Sequence, residues 1–166
     1  DRQLAEALVE EPRFKPVTTR WHQSRDGKWM WKGDTSSDEL CGHMFGYFFY
    51  YELAAEENEK EIIASQVARI VDYLMAHDFC LADKDGKATR WGVWSPEKLN
   101  RDPEWSPDRS LNSMELLSFV KLAYYVTQNE KYGNRHPNGN PFEKIRELDS
   151  NYSCDKRQEL IPPHFV

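Results

Sequence analysis

The chain has few cysteines, few aliphatic residues and no long apolar run. Its three cysteines, Cys41, Cys80 and Cys154, are odd in number and lack CxxC spacing, which argues against a disulfide framework and a structural zinc site. Cys41 and Cys80 lie in apolar segments and are most simply core thiols, so cysteine usage leaves the compartment open. The longest apolar run, Met44–Tyr51, is broken by Gly46 and is shorter than the roughly 18 residues of a membrane span.

The chain also lacks a basic excess and the common cofactor motifs. With 22 basic and 28 acidic residues the net charge is −6, which argues against nucleic acid or an anionic membrane as partner. No HExxH, GxGxxG, P-loop or GxSxG sequence occurs, and the Gly of Asp83-Lys84-Asp85-Gly86 is at position four, where a calcium loop needs it at six. We therefore expect no metal or cofactor. Because the chain opens at Asp1 without a signal peptide's pattern, we expect a piece of a longer protein.

Aromatic rings replace the missing aliphatic side chains. Leu, Ile, Val and Phe make up 34 of 166 residues, a fraction near that of disordered chains. Six Trp, eight Tyr and eight Phe residues are present as well, and disordered chains lack such rings. The sequence therefore predicts one folded domain, residues 1–166, with an aromatic core and aromatic clefts.

Local patterns predict helices with two small β-hairpins. Asp-Gly turns predict the hairpins, the first with strands Val17–His22 and Lys28–Lys32 and the second within Leu81–Trp91. Apolar spacing and capping boxes predict helices over Asp1–Glu11, Ser37–Ala55, Lys60–His77, Asn112–Thr127 and Phe142–Leu148, with one turn at Pro96–Leu99. For residues 133–166 the sequence predicts a loop-rich tail. The two longest helices, joined by a short polar turn, predict an αα-hairpin.

The densest group of chemically active residues surrounds the start of the helix at Ser37. Asp34 precedes it, Asp38 opens it, and Glu39 and His43 lie four residues apart on one face. Carboxylates in different environments can divide the acid and base roles of a reaction, so these four residues are the candidate catalytic set. The alternative is that Asp38 and Glu39 only cap the helix, and that His43 only bonds Glu39.

The tryptophans of loops and hairpins are the candidate substrate contacts. Indole rings stack on the C–H faces of sugars, and nearby Arg or acidic residues bond the hydroxyls. The candidate substrate-binding residues are Arg90, Trp91, Trp94, Trp105 and Glu115. The alternative is that the rings pack the hairpins onto the helices.

Three stretches carry a family resemblance: WKGDTSSDELCGHMFGYFFYYELA, RWGVWSPEKLN and DRSLNSMELLSFVKLAYYVTQNEKY. They resemble the six-hairpin, (α/α)-toroid glycosidase-like proteins of bacteria that degrade polysaccharides. The resemblance implies an all-α fold in which αα-hairpins form part of a toroid and small β-hairpins occupy the loops. It also favours a periplasmic or secreted location. Since 166 residues supply about half of such a ring, it implies self-association or a companion chain that covers the apolar faces.

The resemblance implies a carbohydrate partner and action on glycosidic bonds. A carboxylic acid would protonate the leaving oxygen while a carboxylate activates water or attacks. Asp38 or Asp34 would be one of the pair, Glu115 or Asp108 the other, with Glu39 and His43 orienting. The alternative function is a non-catalytic helical module that binds glycans or a partner protein through Trp-lined loops.

Overall fold

A computed structural model describes residues 21–133. The predicted helices Asp1–Glu11 and Phe142–Leu148, the start of the first predicted strand and the tail after Gly133 lie outside this range. The described elements, in chain order, are β1 (Trp21–Gln23), β2 (Met30–Lys32), α1 (Ser37–Leu53), α2 (Glu57–Ala76), β3 (Cys80–Ala82), β4 (Ala88–Val93), α3 (Pro96–Arg101), a 3₁₀ helix (Pro103–Asp108), α4 (Arg109–Thr127) and a 3₁₀ turn (Glu130–Tyr132).

The predicted all-α toroid is wrong for the described residues. They form a mixed α/β structure of four α-helices and two two-stranded antiparallel sheets, and no toroid pattern is present among them. The physical reason is that α1, α2 and α4 all contact one another. The three long helices therefore pack around one shared core. A toroid, by contrast, would separate inner helices from outer helices.

Capping fixes the start of α1. Ser36 Oγ accepts a hydrogen bond from the backbone N–H of Glu39, and the Glu39 carboxylate accepts one from the backbone N–H of Ser36. Thr35, which also has an acidic residue three positions later, does not cap the helix and donates instead to the carbonyl of Lys32. Three residues separate α1 from α2, and Tyr50 of α1 donates a hydrogen bond of 2.8 Å to Glu59 of α2. The predicted and observed bounds of both helices agree within three residues.

Helix α4 begins three residues earlier than the sequence predicts. The helix begins at Arg109, so the Asn112 capping box lies inside it. Asn112 is buried, and its side-chain amide donates 2.9 Å to the carbonyl of Val93. A side chain that looked like a cap therefore joins α4 to β4, which satisfies a buried backbone acceptor.

The core lies between α2 and α4. Six aliphatic and aromatic side chains that are at most 1% exposed form its centre: Val67, Val71, Leu74, Leu116, Phe119 and Val120. The Trp94 ring meets the Phe119 ring edge-on, with 5.6 Å between centroids. Each such side chain stabilises the fold by about 1.5–3 kcal/mol through burial.

The two β-hairpins meet at Gly33. β1 pairs with β2, and Gly27 supplies the positive φ of its turn; β3 pairs with β4 around the turn at Gly86. A Cβ atom on Gly33 would lie 2.9 Å from His22 Nε2 and 3.0 Å from Asp83 Oδ1. Because glycine has no side chain, His22 and Asp83 can both approach the backbone here, and the first hairpin reaches the second.

Within residues 21–133, no helix combines the length and the apolar character that crossing a membrane requires.

Candidate functional site

Asp34 holds the two hairpin regions together. It has a φ of +51°, which Asp tolerates better than most residues, and its side chain is only 4% exposed. Its carboxylate accepts from the Arg90 backbone N–H at 3.1 Å, from Nε at 2.7 Å and from the terminal guanidinium nitrogen at 2.6 Å. These donors satisfy both oxygens, so the geometry gives Asp34 a structural role and Arg90 the role of its partner.

Glu39 is also occupied by structural bonds. It closes the capping box with Ser36 and forms an ion pair with Lys32 of β2. The Lys32 hydrogen bond, followed by that of the Ser36 N–H, lowers the Glu39 pKa below its ordinary value. His43 is exposed on α1 and stacks on Tyr47. The four predicted catalytic residues therefore do not form one cluster with four free side chains.

A buried carboxyl group lies at Glu115 on α4. Glu115 is 8% exposed, and its Oε2 accepts 2.7 Å from the indole N–H of Trp94. The thiol of Cys41 on α1 also bonds this carboxyl group, and burial raises the Cys41 pKa to about 12. Trp94, Glu115 and Cys41, which we call the Glu115 cluster, thus join the residue after β4 to α4 and α1 through polar contacts.

Burial, followed by the charges of Asp38 and Asp108, raises the Glu115 pKa above its ordinary value, while the Trp94 and Cys41 hydrogen bonds lower it. Asp38 is exposed in the first turn of α1. The fold therefore places a carboxyl group that retains its proton to higher pH within electrostatic range of a solvated carboxylate. That pairing is one that acid/base catalysis uses.

The tryptophans divide by exposure. Trp94 and Trp105 are buried, and Trp91 is half-buried on β4, so Trp94 supports Glu115 from within the core. The three rings of the first hairpin, Trp21, Trp29 and Trp31, are 58%, 71% and 40% exposed.

A cleft of about 690 Å³ lies between the first hairpin, α1, α2 and the second hairpin. Its lining includes Trp31, His43, Gln66, Arg69, Tyr73 and His77. The α2 members recur at three and four residues, which places them on one helix face. The mixture of rings, an amide and a guanidinium group is suited to a polar organic ligand.

Sequence reasoning missed Cys41 and the residues of α2 that line the cleft. Cys41 was interpreted as a core thiol, although it lies three residues after Asp38 and shares that side of α1. Gln66, Arg69 and Tyr73 lie within a helix whose apolar stripe alone was used to predict it. Among the described residues, no group of three or more His, Cys, Asp or Glu side chains could hold a metal ion.

Comparison of the chain with protein families, with curated proteins and with solved structures finds no match. The similarity to six-hairpin glycosidase-like proteins therefore stays a prediction from the quoted sequence stretches.

Proposed function

We propose that the protein is a glycoside hydrolase-like, carbohydrate-active protein that uses Glu115 as general acid and Asp38 as its carboxylate partner. The supporting observation is that Glu115 is a buried carboxyl group held by the Trp94 N–H, with a pKa that burial and, to a smaller extent, the charge of exposed Asp38 raise. Asp34 was an equal candidate from sequence, but both of its carboxylate oxygens accept from Arg90, so we assign it a structural role.

The two residues divide the reaction. Protonated Glu115 donates its proton to the glycosidic oxygen as the bond from that oxygen to the anomeric carbon breaks. Asp38 takes a proton from the water whose oxygen bonds to the anomeric carbon, or attacks that carbon itself. The Trp94 N–H and the Cys41 thiol orient the Glu115 carboxyl group and support the anion left after donation.

The test uses polysaccharides and 4-nitrophenyl glycosides of matched sugars. We expect Glu115→Gln to reduce kcat by about 10²–10⁴ on sugar leaving groups, and far less on 4-nitrophenolate, which leaves without protonation. Asp38→Asn should reduce both rates to a similar extent. Since Glu115 acts in its protonated form, activity should fall as pH rises through its raised pKa, and Glu115→Gln should lack this basic limb.

The control is Glu57→Gln, which changes an exposed carboxylate in the first turn of α2. It should leave the rates unchanged. Hydrolysis of no substrate, or full activity in both the Glu115 and Asp38 variants, would show that the assignment is wrong.

A second candidate function, a non-catalytic glycan-binding module, is favoured by the cleft. Trp31 lines it and contacts the His22 ring at a tilt of 39°, with 4.6 Å between ring centroids, so the indole is held in a defined orientation. Gln66 and Arg69 of α2 line the same cleft and can form hydrogen bonds with sugar hydroxyls.

Calorimetric titration with oligosaccharides tests this candidate. Trp31→Ala should reduce affinity by about 2- to 13-fold, because one stacked ring contributes about 0.5–1.5 kcal/mol. Trp29→Ala removes a more exposed ring of the same hairpin that does not line the cleft, and should bind normally. Equal losses in both variants would place binding on the hairpin surface instead, and an unchanged affinity in Trp31→Ala would exclude the cleft.

A further inference from the structure

α1 is apolar on nearly all sides but is covered on only one. Of its 17 residues, only Leu40 and Met44 are buried. A helix that is apolar all round is normally enclosed, so this helix presents a face that the described residues leave open.

The open face is a continuous stripe: Gly42, Phe45, Gly46, Phe49 and Leu53. All five are exposed, with Phe45 at 66% and Leu53 at 77%. The spacing of three and four residues aligns them on one side of α1. We call this stripe the outer face of α1.

A groove of about 550 Å³ between α1 and α4 extends the outer face. Its walls include Phe45, Phe48 and Tyr125. The Phe48 and Phe49 rings meet edge-on with centroids 5.2 Å apart, and Phe48 lies 6.3 Å from Tyr125. The rings thus form one connected apolar surface.

Shape indicates a helix as occupant. Gly42 and Gly46 lie four residues apart, and a Cβ atom on either would meet no atom of the described chain within 4 Å. Each glycine costs helical stability, and no close contact within the described chain requires either one. A second helix crossing here could approach the backbone closely, with large side chains in the spaces above the glycines.

We propose that the outer face of α1 binds the same face of a second copy of this chain, with the two α1 helices antiparallel. The stripe alternates large and small residues, so Phe45 and Phe49 of each copy fit above the glycines of the other, as an isologous contact requires. Antiparallel packing also opposes the dipoles of the two helices.

The exposed rings supply a substantial part of the area that a dimer interface needs. Phe45, Phe48, Phe49 and Tyr125 are 39–66% exposed; at roughly 150–250 Å² per ring, their open surface is roughly 300–500 Å². Leu53 and the glycine backbone add to it. A stable interface buries about 800 Å² per partner, so the rings alone supply about half of that area.

The experiment measures the mass of the full 166-residue chain by sedimentation over a range of concentrations. We expect a concentration-dependent dimer of the 19.6 kDa chain. Phe45→Glu should raise the dissociation constant at least a hundredfold. The matched control is Ile62→Glu, which places the same charge at a 60% exposed aliphatic position of α2 and should leave the dimer intact.

The variant Gly46→Leu distinguishes specific packing of the two α1 helices from nonspecific apolar association. It adds apolar surface and a better helix former where the monomer has open space. The monomer, measured at high dilution, should therefore melt at a higher temperature, while dimer affinity falls at least tenfold.

A single-chain mass at every concentration would overturn the proposal. So would open-ended association, tighter association of Gly46→Leu, or a dimer that survives Phe45→Glu. Mass does not report hydrolysis or glycan binding, so these outcomes are independent of the proposed function.

Discussion

Asp34→Ala should destabilise the protein by about 3–5 kcal/mol, since it leaves the Arg90 guanidinium group half-buried without its counterion. The side chains of Asp34 and Arg90 are 4% and 26% exposed. The pair joins positions 56 residues apart in the chain, from the entry of α1 to strand β4. The loss is large against a total stability of about 5–15 kcal/mol. Urea denaturation followed by tryptophan fluorescence measures it.

Asp34→Asn is the matched variant. Asn also tolerates the left-handed backbone at this position and can still accept from the Arg90 N–H, so we expect a smaller loss. Replacing both residues, as in Asp34→Ala with Arg90→Met, should recover part of the stability because no unpaired charge is left. If Asp34→Ala unfolds at the same urea concentration as the unmodified chain, the Asp34–Arg90 pair has no structural role. Loss of activity in a stably folded Asp34→Asn would instead restore Asp34 as a catalytic candidate.

Local signals predicted the elements well. The Ser36–Glu39 capping box, the stripe of α2 and both Asp-Gly turns depend on neighbouring residues, so they appear in sequence. The sequence did not show how these elements pack against one another. Nothing local distinguishes an α4 that packs onto α1 and α2 from the next hairpin of a ring, which is why the predicted toroid failed.

The candidate site could also be predicted from the sequence only in part. Asp34 and Asp38 look equivalent in sequence, as two acids around a helix start. Only the fold brings Arg90 to one and Glu115 into the field of the other. The long-range partner, 56 residues away for Asp34, decides which acid is structural. Likewise, Trp94 and Trp31 both lie in or beside hairpins, but packing on Phe119 buries Trp94, whereas Trp31 stays 40% exposed.

Trp94→Phe should cost about 2–4 kcal/mol, with two separable causes. Phe retains the edge-on contact with Phe119 but leaves space where the larger indole was, which costs stability as other large-to-small core changes do. It also removes the N–H that donates 2.7 Å to Glu115, and a buried acceptor left unpaired costs about 1–3 kcal/mol. Trp94→Ala, which leaves a full cavity, should cost about 3–5 kcal/mol.

A double-mutant cycle with Glu115→Met isolates the second cause. Without the carboxyl group, Trp94→Phe should cost only the cavity contribution, so the coupling free energy equals the lost hydrogen bond, about 1–2 kcal/mol.

Denaturation at several pH values adds an independent check. In Trp94→Phe the carboxyl group loses a donor that favours its ionised form, so its pKa should rise further and the penalty of the variant should grow as pH increases through that range. A coupling near zero, or a penalty independent of pH, would mean that Trp94 supports the fold only by packing and does not adjust the Glu115 carboxyl group.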